Sequence, residues 1–489
     1  MHDNFLYIIE NLSMIKKNFF RKVGLGIGPN EKVPSDPVSW AQKQVTKVPP
    51  VIWDETILSG KEMLNHYAEW VYTDRKILRE KYKNNRKDYE SAKEKLRSKV
   101  GERYFDSLEI CIRHNTVLKS SAPVFERLWL FWCNHFAIID KDFMPEFTTG
   151  PYHRESIRKN MCGSFETLLK EATLSWSMIH NLDNSESIGP ASEWGRNRRK
   201  RGKLATVNEN HARELLELHT VSPSADYTQE DVVQLSYIMA GWEHRHTKKR
   251  QECNEVRFNQ KKHEPGNHKV LGKVYKQRGL SPKNKLIDVL KDLASHTETR
   301  RFIAYKLCRH FITDNPTEAM MDPIMVAWKK TDGDLPSIHK ALLKVVYDYA
   351  EKEEKFQNPE VWMLQMVNMV GGNWPPQADE MKYNFERKPY YYQRYPNFFM
   401  KEIGHDIYRP QQPNGFSDIE SDWVSPELLI RRLSAPKVIE RRKMAIKNFN
   451  EMIEKNFDNV EEMKKLIINL SSKLKKMQTI FPSYRMLEA

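Results

Sequence analysis

Glycine is scarce in this sequence, with 19 in 489 residues, whereas leucine, lysine, glutamate and methionine are plentiful. This balance favours helix over sheet. Hydrophobic residues make up 39% of the chain and aromatic residues 11%, which is enough for a sizeable core and argues against global disorder. At this length roughly two to four domains are expected, although large helical units can reduce that number.

Cysteine is also rare. The five cysteines are Cys111, Cys133, Cys162, Cys253 and Cys308. Their number is odd and no two of them have the spacing of a metal finger, so the sequence indicates neither a disulfide framework nor a zinc knuckle. Unpaired cysteines fit a reducing compartment.

Long hydrophobic runs are absent. The longest, "VFERLWLFWCNHFAII" (124–139), is too short and too interrupted to span a bilayer. Near the start of the chain, Glu10 and Asn11 interrupt the apolar residues before they reach the length of a signal-peptide core. We therefore expect a cytoplasmic protein with no transmembrane segment.

Standard catalytic signatures are missing as well. The sequence contains no G-x-x-x-x-G-K-[ST] phosphate loop, no G-x-G-x-x-G after a predicted strand, no G-x-S-x-G and no H-E-x-x-H. The motifs therefore name no reaction, and whether the chain is an enzyme stays open at the level of the sequence.

Positive charge is in excess, with 79 lysines and arginines against 65 acidic residues and a net charge of +14. A basic surface attracts nucleic acid, anionic membranes or acidic partners without selecting among them. The excess is spread along the chain, and its densest cluster is "GRNRRKRGK" (195–203). We interpret this segment as a loop whose arginines either grip phosphate or face solvent, because no nucleic-acid module or aromatic platform accompanies it.

The patterns that are present are helical. They predict a mainly α fold, a large multi-helix assembly with long irregular loops and little or no sheet. Apolar residues cover every side of 124–139, which indicates a fully buried helix. The polar, histidine-rich region 243–280 has little helical period, and the Pro-rich stretches 371–376 and 408–416 predict loops. Helical periodicity returns over 425–478.

We expect four regions along the chain. They are an N-terminal extension (1–21), an N-terminal helical region (22–122), a central helical core (123–350) and a C-terminal helical region with Pro-rich loops (351–489). No internal repeat or low-complexity tract is evident.

Charged side chains alternate with apolar ones in "NENHARELLELHT" (208–220). On a helix with Asn208 as N-cap, the leucines share one face. The opposite face carries Glu209, Asn210, Arg213, Glu214 and Glu217. Arg213 is four residues from a glutamate on either side, which is the spacing of helical ion pairs. The residues alone leave two interpretations: a solvent-facing ladder of ion pairs, or a polar face directed to the interior.

Histidines at three places could be buried core residues or metal ligands. Asn134 and His135 extend the apolar helix, so both need partners inside the core. His219 lies on the apolar face of 208–220, where a hydrogen-bonded core histidine is the ordinary interpretation.

The third place is the histidine-rich region. It contains the pair His263–Glu264 together with His244, His246 and His268. A His-x-His pair with a distant histidine or carboxylate can make a divalent metal site, although this spacing is unspecific.

Long motifs resemble a large bacterial family known only as domain of unknown function 1800. They run in the family's order and cover the chain from about residue 22: 127–136, 157–173, 178–184, 208–220, 227–242, 258–272, 286–316, 355–364 and 413–433. The resemblance implies a mostly α-helical protein and no established activity.

The resemblance also favours an inward polar face for 208–220, because the family pattern keeps it as a block. It adds Asp183 and Asn184 as candidates for the same buried network, with Asn134, His135, Asn208, Asn210 and Arg213. Catalytic candidates are Glu209, Arg213, Glu214, Glu217 and Asp183, and candidate ligands of a divalent metal are His135, Asp183, His263 and Glu264. The chain departs from the family at Cys133, where a histidine is common.

Three functions are compatible with these residues. The first is a helical scaffold or interaction protein built around a buried polar network. It would act with a companion from an uncharacterised family that resembles alkaline-phosphatase-type hydrolases, since the resemblance implies such a pairing. The second is a metal-assisted hydrolase or oxidoreductase with a His/carboxylate pocket between helices. The third is a nucleic-acid or anionic-surface binder, supported by the net charge.

Overall fold

The computed structural model describes residues 18–27, 32–139, 141–142, 144–244, 256–277, 282–370, 378–379, 381, 400–401, 403–425 and 428. Seventeen α-helices lie within these residues: α1 (Pro37–Lys43), α2 (Gly60–Ala68), α3 (Arg75–Lys81), α4 (Arg86–Val100), α5 (Glu102–Lys119), α6 (Pro123–His135), α7 (Pro145–Tyr152), α8 (Phe165–Thr173), α9 (Trp176–Asn181), α10 (Glu193–Lys200), α11 (Asn210–Glu217), α12 (Gln229–Met239), α13 (Asn284–Ser295), α14 (Thr297–Phe311), α15 (Glu318–Thr331), α16 (Leu335–Asp348) and α17 (Pro359–Val370). Residues 18–23 are helical too.

Shorter helical turns and a little sheet complete the fold. The turns are two π-helical segments, Glu69–Asp74 and His153–Ile157, and three 3-10 turns, Arg158–Asn160, Asn184–Glu186 and Glu420–Asp422. Strands β1 (Trp242–His244) and β2 (Val256–Phe258) form one antiparallel pair, and β3 (His268–Val270) and β4 (Lys273–Tyr275) form another. The predicted mainly α fold with little sheet is confirmed.

Helix α6 lies in the main core. It begins at Pro123, where the missing N–H costs nothing because the first helical amides have no intrahelical acceptor. Its residues from Val124 to Cys133 are all buried, as the all-round apolar pattern predicts. Two charged residues share this burial. Glu126 forms an ion pair with Arg158, and Arg127 donates to Gln357.

The other helices pack around this core in two groups. Helix α5 contacts α4, α6, α7 and α17, and α7 also contacts α2. Helices α14, α15 and α16 pack one after another, and α16 contacts α1. The antiparallel pair β3–β4 covers α12 and α13. Within the described residues, no helix is long and apolar enough to cross a membrane.

A local signal predicted the start of α1 correctly, whereas the predicted N-cap at Asn208 is one residue early. Asp36 caps α1 by accepting a hydrogen bond from the Ser39 amide at 3.0 Å.

Helix α11 is shorter than expected, since it covers Asn210–Glu217 with Glu209 as N-cap. Asn208 lies one residue earlier, and its Oδ1 accepts from the Asn210 amide at 2.9 Å.

The prediction of a loop at the basic segment 195–203 is wrong, because most of this segment is helical. Helix α10 begins after Ser192, whose side chain accepts from the Gly195 amide at 3.0 Å. The sequence had predicted a loop for this segment. Glycine is required here by packing, since a Cβ on Gly195 would be 2.3 Å from the Gly189 carbonyl oxygen.

Some predicted elements lie outside the described residues. These are 371–376 and 425–478 apart from Ser425 and Leu428, together with His246 and Cys253. The predicted loop 408–416 is described and contains turns without regular helix or strand. The division into four regions stays a prediction.

Candidate functional site

A buried ion pair between α5 and α17 forms the centre of the candidate site. Arg113 donates from Nε and Nη2 to the two carboxylate oxygens of Glu360, at 2.7 and 3.0 Å. Both side chains are almost completely buried. His114 Nε2 is 3.1 Å from Glu360 Oε1. Burial alone would raise the pKa of Glu360, but Arg113 and His114 outweigh it and hold that pKa well below its ordinary value. Glu360 is therefore ionised, and its charge balances that of Arg113.

His153 extends this pair on the other side. It begins the π-helical turn that follows Pro151, and a proline inside a helix removes an i→i−4 hydrogen bond. Trp129 Nε1 donates to the His153 carbonyl at 2.9 Å, which fixes the backbone of this turn. Arg113 Nη1 is 3.3 Å from His153 Nδ1. Because a guanidinium can only donate, Nδ1 accepts this hydrogen bond.

This contact sets the tautomer of His153. Burial lowers the pKa of His153 well below its ordinary value, and Arg113 lowers it further. The ring is thus neutral and carries its proton on Nε2. His153 therefore offers one N–H donor.

His310, near the end of α14, has the opposite tautomer. Its Nδ1 is 2.7 Å from Asp418 Oδ1, although the two residues are 108 positions apart. Burial lowers the pKa of His310, while Asp418 acts in the other direction. Burial would raise the pKa of Asp418, but His310, Lys355 and Lys306 lower it to about 2. A neutral histidine beside an ionised carboxylate donates from Nδ1, so His310 Nε2 keeps its lone pair.

Both histidines line one cavity of about 40 Å³. We call it the His310 cavity; its lining residues are Arg113, Leu130, Cys133, Asn134, Ala137, Ile138, Thr149, His153, His310, Asn358, Glu360, His405, Ile407, Tyr408, Pro410 and Phe416. Among the described residues, neither His153 Nε2 nor His310 Nε2 has a hydrogen-bond partner, and both atoms are buried. The same is true of Thr149 Oγ1. A buried polar atom without a partner is costly, so this group of three at one cavity indicates a place for a ligand.

One residue of the cavity wall has an unusual backbone. Tyr408 has φ +65°, a value that bulky residues rarely adopt. Its side chain is buried, and its ring lies 5.6 Å from the Arg113 guanidinium. Strained backbone of this kind persists only where the surroundings over-determine it, and it is most frequent at functional sites.

Cys133 lies in the same wall. Burial raises the pKa of its thiol to about 12, although Arg113 acts in the other direction. The thiol therefore stays protonated at neutral pH, and a thiolate nucleophile or ligand is not favoured here.

The predicted catalytic cluster around Arg213 lies elsewhere and closer to the surface. Arg213 Nη2 donates to Glu209 at 3.0 Å and to Gln229 at 2.8 Å. The Arg213 and Glu209 side chains are each 35% exposed, and that of Glu217 is 25% exposed. The prediction of an inward, buried network is wrong here, because α11 buries its other face through residues such as His211.

The remaining members of that face are also accessible. Glu214 is half-buried, and burial raises its pKa. Asn210 is exposed. Tyr227, from the segment that follows α11, donates to Glu217. These residues form a part-exposed surface cluster.

The predicted metal ligands do not converge. The two ring nitrogens of His135 have separate partners. Nε2 is 3.3 Å from the His219 carbonyl oxygen, and Nδ1 is 3.0 Å from Lys306 Nζ. Asp183 is paired with Lys141 and its side chain is 44% exposed. Within the part of the chain that the structure describes, no three histidine, cysteine, aspartate or glutamate side chains are grouped closely enough to hold a metal ion.

The other two candidate ligands make backbone contacts of their own. His263 Nδ1 is 2.8 Å from the Ala240 carbonyl oxygen, and Glu264 accepts from the Ala191 amide at 2.8 Å. These two contacts join the segment 263–264 to the loop at Ala191 and to Ala240, which lies just before β1. The predicted His135, Asp183, His263 and Glu264 metal set is therefore corrected to separate structural contacts.

Two predicted network residues bind backbone in the interior. Asn184 donates from Nδ2 to the carbonyl oxygens of Met239 and Trp242, at 3.2 and 2.7 Å. Asn134 pairs with both backbone groups of Phe416. Of the predicted site residues, Asn134 alone lines the His310 cavity.

The central residues of the candidate site were missed by sequence reasoning. His310, Glu360 and Asp418 all lie in long motif segments, 286–316, 355–364 and 413–433, so the motifs held a usable signal. Arg113 and His153 lie outside them. No local pattern distinguishes these two from surface residues of amphipathic helices.

Comparison with known proteins agrees with the motifs. The family model described as "Protein of unknown function (DUF1800)" matches residues 20–480. No curated protein and no solved structure matches the chain. Because the match spans most of the sequence, the resemblance is confirmed, and the chain belongs to the DUF1800 family of proteins of unknown function.

Proposed function

We propose that this protein is a hydrolase whose reaction takes place in the His310 cavity and whose substrate is an uncharged ester or amide. One observation carries the proposal. Two buried histidines line the same cavity, and each has one ring nitrogen engaged and the other without a partner. One free nitrogen is a donor and the other an acceptor, which is the combination that acid–base catalysis needs.

His310 would act as the general base. Its Nε2 takes a proton from a water molecule, and the resulting hydroxide adds to the carbonyl carbon. Asp418 holds the ring in the required tautomer and stabilises the imidazolium that forms. When the tetrahedral intermediate collapses, the same proton passes to the leaving alcohol or amine, so that acid and alcohol or amine are the products.

His153 would stabilise the oxygen that becomes negative. Its Nε2–H is a preorganised donor, since Arg113 occupies Nδ1 and Arg113 is itself held by Glu360. Thr149, whose hydroxyl has no partner among the described residues, is a second donor at this wall.

Charge balance supports an uncharged substrate. The positive charge of Arg113 is matched by Glu360, and the two groups share two hydrogen bonds. The remaining wall contains apolar residues, such as Leu130 and Ile138. An anion in this cavity would be repelled by two buried carboxylates, those of Glu360 and Asp418. Arg113 in the wall is already paired with Glu360 and could not balance the added charge.

The test is hydrolysis of 4-nitrophenyl acetate and of acetanilide by the purified full chain. We expect His310→Gln to lower kcat/KM by about 100-fold or more, the usual contribution of a general base. His339→Gln is the matched control, because His339 is equally buried and lies outside the cavity, where it accepts from Trp132 Nε1. Equal rates in wild type and His310→Gln would refute the proposal. So would an experimental structure in which both Nε2 atoms bond to protein atoms.

A further inference from the structure

We propose that Asn134 is a positioning residue: by holding Phe416 it fixes the loop that carries Asp418 against His310. The inference rests on the proposed function only for the role of the His310–Asp418 pair. It concerns a residue of α6 that touches neither member of that pair in the hydrogen bonds described.

The contact is a two-point hydrogen bond between a side chain and a loop backbone. Asn134 Nδ2 donates to the Phe416 carbonyl at 2.8 Å, and the Phe416 amide donates to Asn134 Oδ1 at 2.8 Å. A side-chain amide carries the same donor and acceptor as a peptide group, so Asn134 pairs with this residue as a neighbouring strand would. The two residues are 282 positions apart.

Gly415 shows how closely the loop approaches. Its φ is +78°, and a Cβ at this position would be 2.5 Å from both the backbone oxygen and Oδ1 of Asn134. No other residue fits without displacing one of the two partners. The segment "NHF" at the end of α6 and the segment "PNGF" on the loop are therefore complementary parts of one contact.

The position of this contact explains why it matters for His310. Asp418 follows Phe416 by two residues, and the intervening chain has no regular helix or strand. On its other side, Asp418 is anchored through Lys355, which bonds both to the Asp418 carbonyl and to Asp314. Asp314 also accepts from the Glu420 amide at 2.7 Å. Asn134 supplies the anchor on the cavity side, where both it and Phe416 form part of the wall.

Removal of Asn134 should therefore loosen one end of a segment that stays attached at the other. The fold is kept, because the loop retains Lys355 and Asp314. The geometry of the Asp418 carboxylate is lost, and with it the strong Nδ1–H hydrogen bond that fixes the tautomer of His310.

The experiment compares the full-length wild type with Asn134→Ala by proton NMR and by ester hydrolysis. A strong His–Asp hydrogen bond gives a low-field Nδ1 proton resonance, which His310→Gln identifies by its disappearance. We expect this resonance in the wild type and its loss in Asn134→Ala, with an unchanged circular dichroism spectrum. Asn184→Ala is the matched control, since Asn184 also donates to two backbone carbonyls but far along the chain from this loop. It should keep the resonance.

A purely structural role would not change the tautomer. We also expect kcat for 4-nitrophenyl acetate to fall about tenfold in Asn134→Ala, because His310 is then no longer held in the tautomer that a general base needs. If Asn134→Ala does not fold, Asn134→Asp keeps the Oδ1 acceptor and removes the Nδ2 donor, and it should weaken the resonance in a folded protein.

Persistence of the low-field resonance in a folded Asn134 variant overturns the inference. The NMR readout requires no substrate. Absence of hydrolysis by the wild type, combined with loss of the resonance in Asn134→Ala, would refute the proposed function and leave the positioning role standing.

Discussion

Arg113 and Glu360 are 247 positions apart and form a two-point ion pair in which both side chains are almost fully buried. Taking two charges out of water is expensive, and the cost is recovered only while both partners are present. Glu360→Gln leaves a buried guanidinium with a neutral partner. We expect it to lower the free energy of unfolding by about 3 kcal/mol, measured by urea denaturation followed by circular dichroism.

The matched control for this change is Glu318→Gln. Glu318 pairs with Arg301 on the surface, where the two side chains are 54% and 49% exposed. Exposed pairs contribute about 0–1 kcal/mol, so this variant should unfold nearly as the wild type does. Equal losses in the two variants would show that the Arg113 pair is not buried as described.

Stability should decrease in mild acid because several histidines are buried in the neutral form. Burial lowers the pKa of His211, His219 and His339 to about 3 each. In the unfolded chain these groups titrate near the ordinary value of about 6.5, so below that pH the unfolded state binds more protons than the folded state. The free energy of unfolding therefore falls as pH drops below 6.5, by about 1.4 kcal/mol per pH unit for each such histidine.

Urea denaturation at pH 7.5, 6.5 and 5.5 measures this effect. His339→Gln removes one of the three groups and should flatten the dependence by about one histidine's share. A free energy of unfolding that is constant from pH 7.5 to 5.5 would show that these imidazoles are protonated or hydrated in the folded protein.

The fold was accessible from the sequence because its signals are local. Apolar residues on all sides of 124–139 predict a buried helix, and α6 is buried along its length. An Asp–Pro pair predicts the start of α1, and Asp36 does cap it. Such patterns depend on neighbours within one or two turns, which a sequence displays directly.

The candidate site was not accessible in the same way. Arg113 and His153 look like the polar residues of amphipathic helices, and their burial depends on Glu360 and on each other, far apart in the chain. By contrast, the charges around Arg213 are dense locally and pair locally, at helical spacing, on a part-exposed face. Charge density within one segment identified a surface cluster, whereas the cavity is assembled by contacts between distant segments.

Close packing of α5 on α7 makes a third prediction. A Cβ on Gly150 would lie 2.4 Å from side-chain atoms of Glu109, which binds Arg154 through both carboxylate oxygens. Gly150→Ala should therefore displace that ion pair and destabilise the protein by about 1–3 kcal/mol, measured by thermal unfolding. Gly163→Ala is the control, because its nearest atom would be 3.4 Å away. If Gly150→Ala proves as stable as Gly163→Ala, the helices are farther apart than described.

The small volume of the His310 cavity makes a prediction about substrate size. About 40 Å³ accommodates a few water molecules, since one needs roughly 10–15 Å³, so a short acyl chain should be favoured over a long one. We expect kcat/KM for 4-nitrophenyl acetate to exceed that for the hexanoate. Leu130 lies in the cavity wall, and Leu130→Ala enlarges the space beside it. The hexanoate-to-acetate ratio of kcat/KM should then rise about tenfold, because a few methylenes accommodated in an apolar pocket change specificity by this order.

Leu342→Ala is the control for this change, because Leu342 is fully buried in α16 and does not line the cavity. Both variants lose a buried leucine and should lose comparable stability, about 2–5 kcal/mol. Only the variant in the cavity wall should alter the ratio. A ratio that shifts equally in both variants would mean that general loosening of the fold, and not the shape of this cavity, sets the size of the acyl group.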